Sequence, residues 1–192
     1  MWDWNTEFIG QFGEFTANAT GRPGDLLAGA LSFDAGANLP LSWRTRLGLK
    51  ADFITGDGDS GDGDLGTFNP LYPRGSYFGD IGLIGPANLL VLMPTLRTHF
   101  SPTVFLDLHG AGFWRQSTAD GIYGGGGNRV RGPGGSEERF IGTQLNALVG
   151  WSISRNFSVE FNYAHFFAGA FLADTGPSED VDYLAATLVV RF

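Results

Sequence analysis

The sequence predicts an all-β protein: an antiparallel up-and-down transmembrane β-barrel of eight strands. Three observations predict this fold. Apolar and polar side chains alternate with a period of two along eight segments, as in strands that separate two environments. The connections are alternately short and long, as in outer-membrane barrels, which have short periplasmic turns and longer extracellular loops. No stretch reaches the roughly 18 uninterrupted apolar residues that a membrane-spanning helix needs.

Composition limits the class of protein. The chain has 192 residues, so we expect a single barrel domain over residues 1–192. The net charge of −8 argues against a nucleic-acid partner, because phosphates are bound by clustered Lys and Arg. The absence of cysteine excludes disulfides and thiolate metal sites and fits an envelope compartment. The N-terminal residues do not resemble a signal peptide, so we expect the numbering to start on a mature chain or inside a longer one.

The first three predicted strands alternate clearly. The first covers residues 2–15 and sets Trp and Phe side chains against acids and amides, and the second covers residues 26–39 in the same manner. The third, residues 41–53, is the clearest, and a helix with 3.6 residues per turn would not place its charges on one face. The polar face of this third strand carries Ser42, Arg44, Arg46, Lys50 and Asp52.

The fourth and fifth predicted strands, residues 88–100 and 103–115, carry leucines on one face and charged or histidine side chains on the other. Pro94 interrupts the fourth. Because proline has no backbone N–H, it must lie at a bulge or leave one ladder hydrogen bond unmade.

The last three predicted strands cover residues 141–153, 157–163 and 180–192. In the sixth strand Ile141 is expected on the apolar face, opposite Gln144 and Asn146. The eighth strand is apolar at every second position up to its terminal phenylalanine, so one of its faces is suited to hydrocarbon and the other to water.

The connections predict the orientation of the barrel. Those after strands two, four and six ("LPLS", "FSPT" and "SRNF") are tight turns, whereas those after one, three, five and seven are long and rich in Gly, Pro and Asp. With an even number of strands, both termini then lie on the periplasmic side. A β-sandwich also alternates, but its apolar face would need a partner sheet and its other face would not carry arginines at this density.

Four segments resemble one family. "LGTFNPLYPRGSYFGDIGLIGPANL" (65–89), "FWRQSTADGIYG" (113–124), "NYAHFFAGAFL" (162–172) and "VDYLAATLVVRF" (181–192) resemble the alginate export family of outer-membrane proteins of Gram-negative bacteria. The resemblance implies a channel through which an anionic, alginate-like polysaccharide leaves the periplasm, with no enzymatic chemistry and no cofactor. It also implies outer-membrane lipid and the periplasmic export machinery as partners.

The length of the chain leaves two alternatives open. Members of that family form a much larger barrel, and the chain resembles its C-terminal part. Eight strands enclose an interior that side chains fill, whereas wide aqueous channels take about sixteen or more. The chain is therefore either a fragment without the N-terminal strands or a contracted barrel that closes alone with a plugged interior.

A basic wall is expected inside the barrel, because anion pores are lined by basic side chains. The residues expected along an anion path are Arg44, Arg46, Lys50, Arg97 and Arg115, together with Arg74 in the family-like "FNPLYPRG" motif. Inward acids that could pair with them are Asp34, Asp52, Asp107 and Glu160, with Asp3 and Glu7 on the first strand. The alternative is a non-conducting small barrel whose ion-paired interior has a structural or surface-interaction role, since buried charges must pair.

The long connection after the third strand is expected to act as a gate or plug. Loops of about 30 residues are either functional or disordered. This one carries Phe68, Tyr72, Tyr77 and Phe78, which favour folding onto the barrel mouth or into the lumen.

The same connection begins with an acidic run that includes Asp57, Asp59, Asp62 and Asp64. The run lacks the glycine spacing and the closing Glu of an EF-hand. We expect a solvated acidic loop, with weak divalent-cation binding as the alternative and no other metal site.

Other chemistry-bearing residues give weak signals. His99, His109 and His165 lie on three different strands, and structural hydrogen bonding is expected for each. The glycine-rich stretch 123–135 is predicted to be an extracellular loop with exposed Arg129 and Arg131. No grouping of Ser, His and acid predicts an enzyme.

Overall fold

The computed structural model of the protein describes residues 1–16, 23–72 and 75–192. Within these residues the chain forms ten strands and one short helix. The elements are β1 (Trp2–Thr16), β2 (Pro23–Leu39), β3 (Arg44–Ile54), β4 (Leu89–His99), β5 (Val104–Arg115), β6 (Ile122–Tyr123), β7 (Arg129–Arg131), β8 (Phe140–Ser152), β9 (Phe157–Ala168), α1 (Ala170–Thr175) and β10 (Val181–Val190). In the described ranges no helix combines the length and apolar character needed to cross a membrane.

Eight strands form one antiparallel up-and-down sheet in the order β1-β2-β3-β4-β5-β8-β9-β10, and β6 and β7 form a separate two-stranded ribbon. The eight predicted segments correspond to these eight strands, so the all-β fold class is confirmed. The largest difference is at the seventh segment, which continues to Ala168. The predicted long connection between the first two strands falls on residues 17–22, which lie outside the described residues.

The two faces of the sheet differ as the alternation predicts. On β3, Leu47, Leu49 and Phe53 are each between 43% and 51% exposed, whereas Asp52 and Ile54 on the other face are buried. On β10, Leu184 and Leu188 are 79% and 62% exposed, whereas Tyr183 and Val189 on the other face are half-buried. A row of exposed apolar side chains on one face, opposite a polar and buried face, is the arrangement of a strand with hydrocarbon on its outer side.

Pro94 interrupts the ladder between β4 and β5 without changing its register. The pairs Leu92–Gly112 and Thr95–His109 belong to one continuous register, and the two pairs between them are missing. Proline therefore leaves a ladder bond unmade, one of its two predicted outcomes. On the outer face an apolar groove of about 550 Å³ opens at this interruption.

Ile141 lies on the face opposite to the predicted one. The register between β5 and β8 shifts between Phe113 and Trp114, and Gly142 has a φ of 156°. This bulge reverses the alternation at the start of β8. Ile141 is consequently turned inward and fully buried, while the ring of Phe140 packs 5.7 Å from that of Trp114.

The hydrophobic core lies inside the curve of the sheet, towards the ends that carry the long loops. It combines inward side chains of the strands with side chains of the loops and of α1. Its buried members include Ile54, Leu89, Val91, Met93, Phe113, Ile141 and Phe166 from the sheet, Phe68, Phe78 and Ile84 from the long connection after β3, and Phe171 from α1.

The first and last strands of the sheet are not paired with each other within the described residues. There β1 pairs with β2, and β10 pairs with β9. Side chains on both faces of β1 are exposed. The two edge strands thus present backbone N–H and C=O groups without ladder partners among these residues.

Candidate functional site

The long connection after β3 crosses the interior of the sheet. We call its described residues, 55–72 and 75–88, the inner loop. On the β1 side, the Asn69 backbone N–H donates to the Gln11 side-chain oxygen at 2.9 Å. On β3, the Lys50 ammonium lies 3.9 Å from the centre of the Tyr77 ring. Gln11 and Lys50 both point inward, so the loop lies within the concave side of the sheet.

The tip of the inner loop is held by the opposite wall. Gln144 on β8 donates its side-chain amide to the Phe78 carbonyl at 2.8 Å, and Asn162 on β9 donates to the Asp80 carboxylate at 2.6 Å. The sequence assigned both amides to the polar face, but it gave no signal that this face would bind the loop. Of the two predicted placements of the loop, the structure shows the one inside the sheet.

Aromatic side chains anchor the loop unequally. Phe68 and Phe78 are buried, and the Phe78 ring lies 5.4 Å from that of Phe113 in an edge-on arrangement. Tyr72, by contrast, is 96% exposed. Arg74 lies outside the described residues. A cleft of about 450 Å³ remains between the loop and the inner faces of β1 to β3.

Arg46 is the most extensively paired of the predicted basic residues. Its guanidinium contacts Asp34 at 2.8 Å and Asp3, two strands away, at 2.5 Å. The guanidinium lies over Gly36, and a Cβ at Gly36 would require it to shift, since the two would be 2.6 Å apart at the Arg46 Nε. Arg46 therefore ties the inner faces of the first three strands together.

Two further predicted bases have acidic neighbours. Arg97 lies 2.5 Å from Asp107 and its side chain is 55% exposed. Lys50 lies 3.6 Å from Asp52, too far for a hydrogen bond, and the buried Asp52 oxygens have no hydrogen-bond partner within the described residues.

The remaining predicted pair members make no such contact. Arg44 and Glu7 are exposed, and Glu160 is half-buried on the inner face of β9. None of the three takes part in the ion pairs found within residues 1–16, 23–72 and 75–192.

Arg115 is not placed along an open path. It is fully buried and donates to the backbone carbonyls of Thr118, Asp120, Ser136 and Glu138 at 2.5–3.0 Å. Its guanidinium carbon lies 4.0 Å from the centre of the Phe171 ring. Arg115 was expected along the anion path, but it is enclosed because it ends β5 and residues 116–139 fold back over it. We call residues 116–139 the cover loop. The side chain anchors that loop and is not accessible to a permeating molecule.

Asp120 joins the cover loop to the inner loop. Its buried carboxylate accepts hydrogen bonds from Thr67 Oγ1 at 2.6 Å, the Asp57 N–H at 3.1 Å and the Tyr123 hydroxyl at 2.8 Å. Burial, reinforced by the hydrogen bond to Asp120, raises the pKa of Tyr123 to about 12. The tyrosine therefore stays a neutral donor at any physiological pH.

Asn88 forms a second link between the two loops. It is fully buried with a φ of 49°. Its amide nitrogen donates to the carbonyls of Ser117 and Gly121 at 3.0 and 2.8 Å, and its amide oxygen accepts from the Ser117 N–H at 2.6 Å. A residue in this left-handed conformation, with its side chain fully bonded, indicates a fixed loop junction.

The acidic run uses its carboxylates to shape the loop. Asp59 accepts from the Gly61 N–H at 2.9 Å, Asp62 from the Asp64 N–H at 2.8 Å, and Asp64 from the Asp25 N–H at 2.9 Å. Burial raises the pKa of Asp57. Within the described residues no group of three or more His, Cys, Asp or Glu side chains is arranged to hold a metal ion.

His165 and Arg131 add contacts that the sequence left unresolved or predicted differently. His165 faces outward near the loop end of β9, where its Nδ1 lies 2.8 Å from Asp182. Arg131 was expected to be exposed, but it is half-buried and donates to the carbonyls of Leu172 and Pro177 at 2.9 and 2.7 Å. Arg131 thereby fastens the cover loop to the segment around α1.

The alginate export family model matches residues 1–185, nearly the whole chain. The chain belongs to the alginate export family. This is a family of outer-membrane β-barrel transport proteins rather than enzymes, which agrees with the two-sided sheet. Among curated proteins, none matches this family member.

Proposed function

We propose that this alginate export family member forms a path for an anionic polysaccharide or small anions across the outer membrane of a Gram-negative bacterium, with the inner loop as its constriction. The observation that carries the proposal is the position of that loop. It is hydrogen-bonded to the polar face of strands whose other face is apolar and exposed, so any molecule passing along the interior must pass beside it.

The charges on the short-turn side of the inner loop support an anionic permeant. Arg46 and Arg97 are direct cross-strand neighbours, as are Arg44 and His99. Opposed guanidinium groups attract anions most strongly where the surroundings are confined and weakly screened. Arg44 is exposed, and Arg97 is half-exposed beside the single carboxylate of Asp107, whereas Arg46 is less exposed and is committed to two carboxylates. This basic group would face the periplasm, where the export machinery would deliver the polymer.

The partners of the two edge strands decide the width of the path. Hydrocarbon does not tolerate unpaired backbone groups, so the edges of β1 and β10 must be paired in the membrane. Pairing the two edges directly would give a small barrel filled by the inner loop. Pairing them with further strands would leave a wider aqueous space beside it.

A second candidate function follows from the ion pairs. Arg46, Lys50 and Arg97 each have an acidic neighbour, and the inner loop fills much of the interior. A barrel of this kind that does not conduct would serve a structural or surface-interaction role.

Planar bilayer recordings separate the two functions. In a KCl gradient we expect a current whose reversal potential lies closer to the equilibrium potential of chloride than to that of potassium. Replacing Arg44 and Arg97 together by Ser should move the anion-to-cation permeability ratio towards one, because these two charges are accessible. Arg129→Ser in the exposed part of the cover loop is the control and should leave the ratio unchanged. Current no greater than that of the lipid alone would rule out the path and leave the non-conducting barrel.

A further inference from the structure

The inner wall under the loop tip is built from three amide side chains and one histidine. Gln144 and Asn146 on β8 and Asn162 on β9 are each more than nine-tenths buried. Asn146 is the cross-strand partner of His109 on β5. We call these four side chains the amide wall. It contrasts with the charged inner faces of the strands before it. Each amide offers N–H donors for a carboxylate and an oxygen that accepts from a hydroxyl group.

The loop tip lies directly against this wall at Gly79. Gly79 has a φ of 120°, and a Cβ there would lie 2.7 Å from the Gln144 amide nitrogen, 3.3 Å from His109 Nε2 and 3.6 Å from the Asn146 amide oxygen. Only glycine fits this position. The tip presents one carbonyl, from Phe78, and one carboxylate, from Asp80, to the wall.

The loop satisfies only part of the wall. His109 Nε2 and the amide oxygens of Asn146 and Asn162 are buried and have no hydrogen-bond partner among the described residues. Buried polar groups are normally paired, so these exceptions require an explanation. The unmet groups include two amide oxygens, which accept hydrogen bonds and therefore fit O–H donors. On Asn162 the amide nitrogen already donates to a carboxylate, that of Asp80.

We propose that the amide wall is a binding subsite for a uronate residue, and that Asp80 occupies the place of the sugar carboxylate when the loop is docked. This inference rests on the proposed function. A uronate carries a carboxylate for the Asn162 amide nitrogen and hydroxyl groups for the unmet amide oxygens, a combination that the loop tip offers only in part. Entry of the polymer then replaces the Asp80 carboxylate by a uronate carboxylate at Asn162. The contacts that hold the loop in place are therefore the same ones that the permeant would make.

Binding of trigalacturonate to the full chain, refolded in detergent micelles and followed by titration calorimetry, tests this inference independently of conduction. Asp80→Ala should bind about tenfold more tightly than the unaltered chain, because the competing carboxylate is gone and a larger fraction of molecules has a free subsite. Adding Asn162→Ala to this variant should abolish the gain. Asp62→Ala removes the same charge from the exposed part of the inner loop and should behave like the unaltered chain.

The neutral trisaccharide maltotriose is the ligand control and should not bind. Equal affinities for Asp80→Ala and Asp62→Ala, or binding of maltotriose as strong as that of trigalacturonate, would overturn the subsite. Tight binding without bilayer current would uphold the subsite and refute the path. Current without any binding would uphold the path and refute the subsite.

Discussion

At the scale of single residues, the position of a side chain along its strand decides its role more than its charge does. Arg46 and Arg115 both point inward, as the two-residue alternation along their strands predicts. Arg46 lies in the ion-paired part of the interior, whereas Arg115 lies where the cover loop closes over the strand end and is bonded to carbonyls. The face of the sheet on which a residue lies can be read from the sequence, because it depends only on the two-residue period. The closing of a loop over one arginine depends on long-range contacts that no local pattern contains.

Replacing Arg115 by Ala should lower the free energy of unfolding by about 3 kcal/mol or more, since several buried carbonyls lose their donor. Arg115→Lys should recover part of the loss, because Lys has three donors and no planar fork. Urea unfolding in lipid vesicles, followed by tryptophan fluorescence, measures this effect. Arg129→Ala in the same loop is the control and should stay within about 0.5 kcal/mol of the unaltered chain. A similar small loss for Arg115→Ala would show that the cover loop is not anchored as described.

At the scale of elements, the eight strands could be predicted because each one carries its own alternation, and Pro94 could be identified as an interruption because it has no N–H. The bulge at Gly142 could not be predicted, because its only sequence sign is one glycine among thirty. The bulge turned Ile141 from the outer face into the core. The position of the inner loop was predicted as one of two alternatives, since its aromatics indicate burial but not which wall they meet.

Pro94→Val should restore the missing ladder bond between β4 and β5 and raise the free energy of unfolding by about 0.5–1.5 kcal/mol. Amide hydrogen exchange measures the bond itself. The new amide at position 94 should become as protected as that of Leu96, which lies in the paired part of both ladders. A rapidly exchanging amide together with unchanged stability would mean that the two strands are held apart at this point by something other than the missing N–H.

At the scale of the whole molecule, the protein is a sheet with an exposed apolar face on one side and a loop-filled polar interior on the other. The family and the two faces could be predicted from the chain alone. Whether β1 meets β10 could not, because closure of a sheet depends on tilt and stagger, which the alternation does not encode. Both proposed roles depend on the difference between these two faces.

Adjacent residues on β2 offer the most direct measurement of that difference. Leu31 is exposed on the outer face, and Ser32 lines the interior cleft. The protein has no cysteine, so Leu31→Cys and Ser32→Cys can each carry a single nitroxide label in lipid vesicles. Collisions with oxygen should be frequent at position 31 and rare at position 32, and collisions with a water-soluble nickel chelate should show the opposite order. Equal or reversed accessibilities at the two positions would contradict the membrane-facing assignment of the apolar rows.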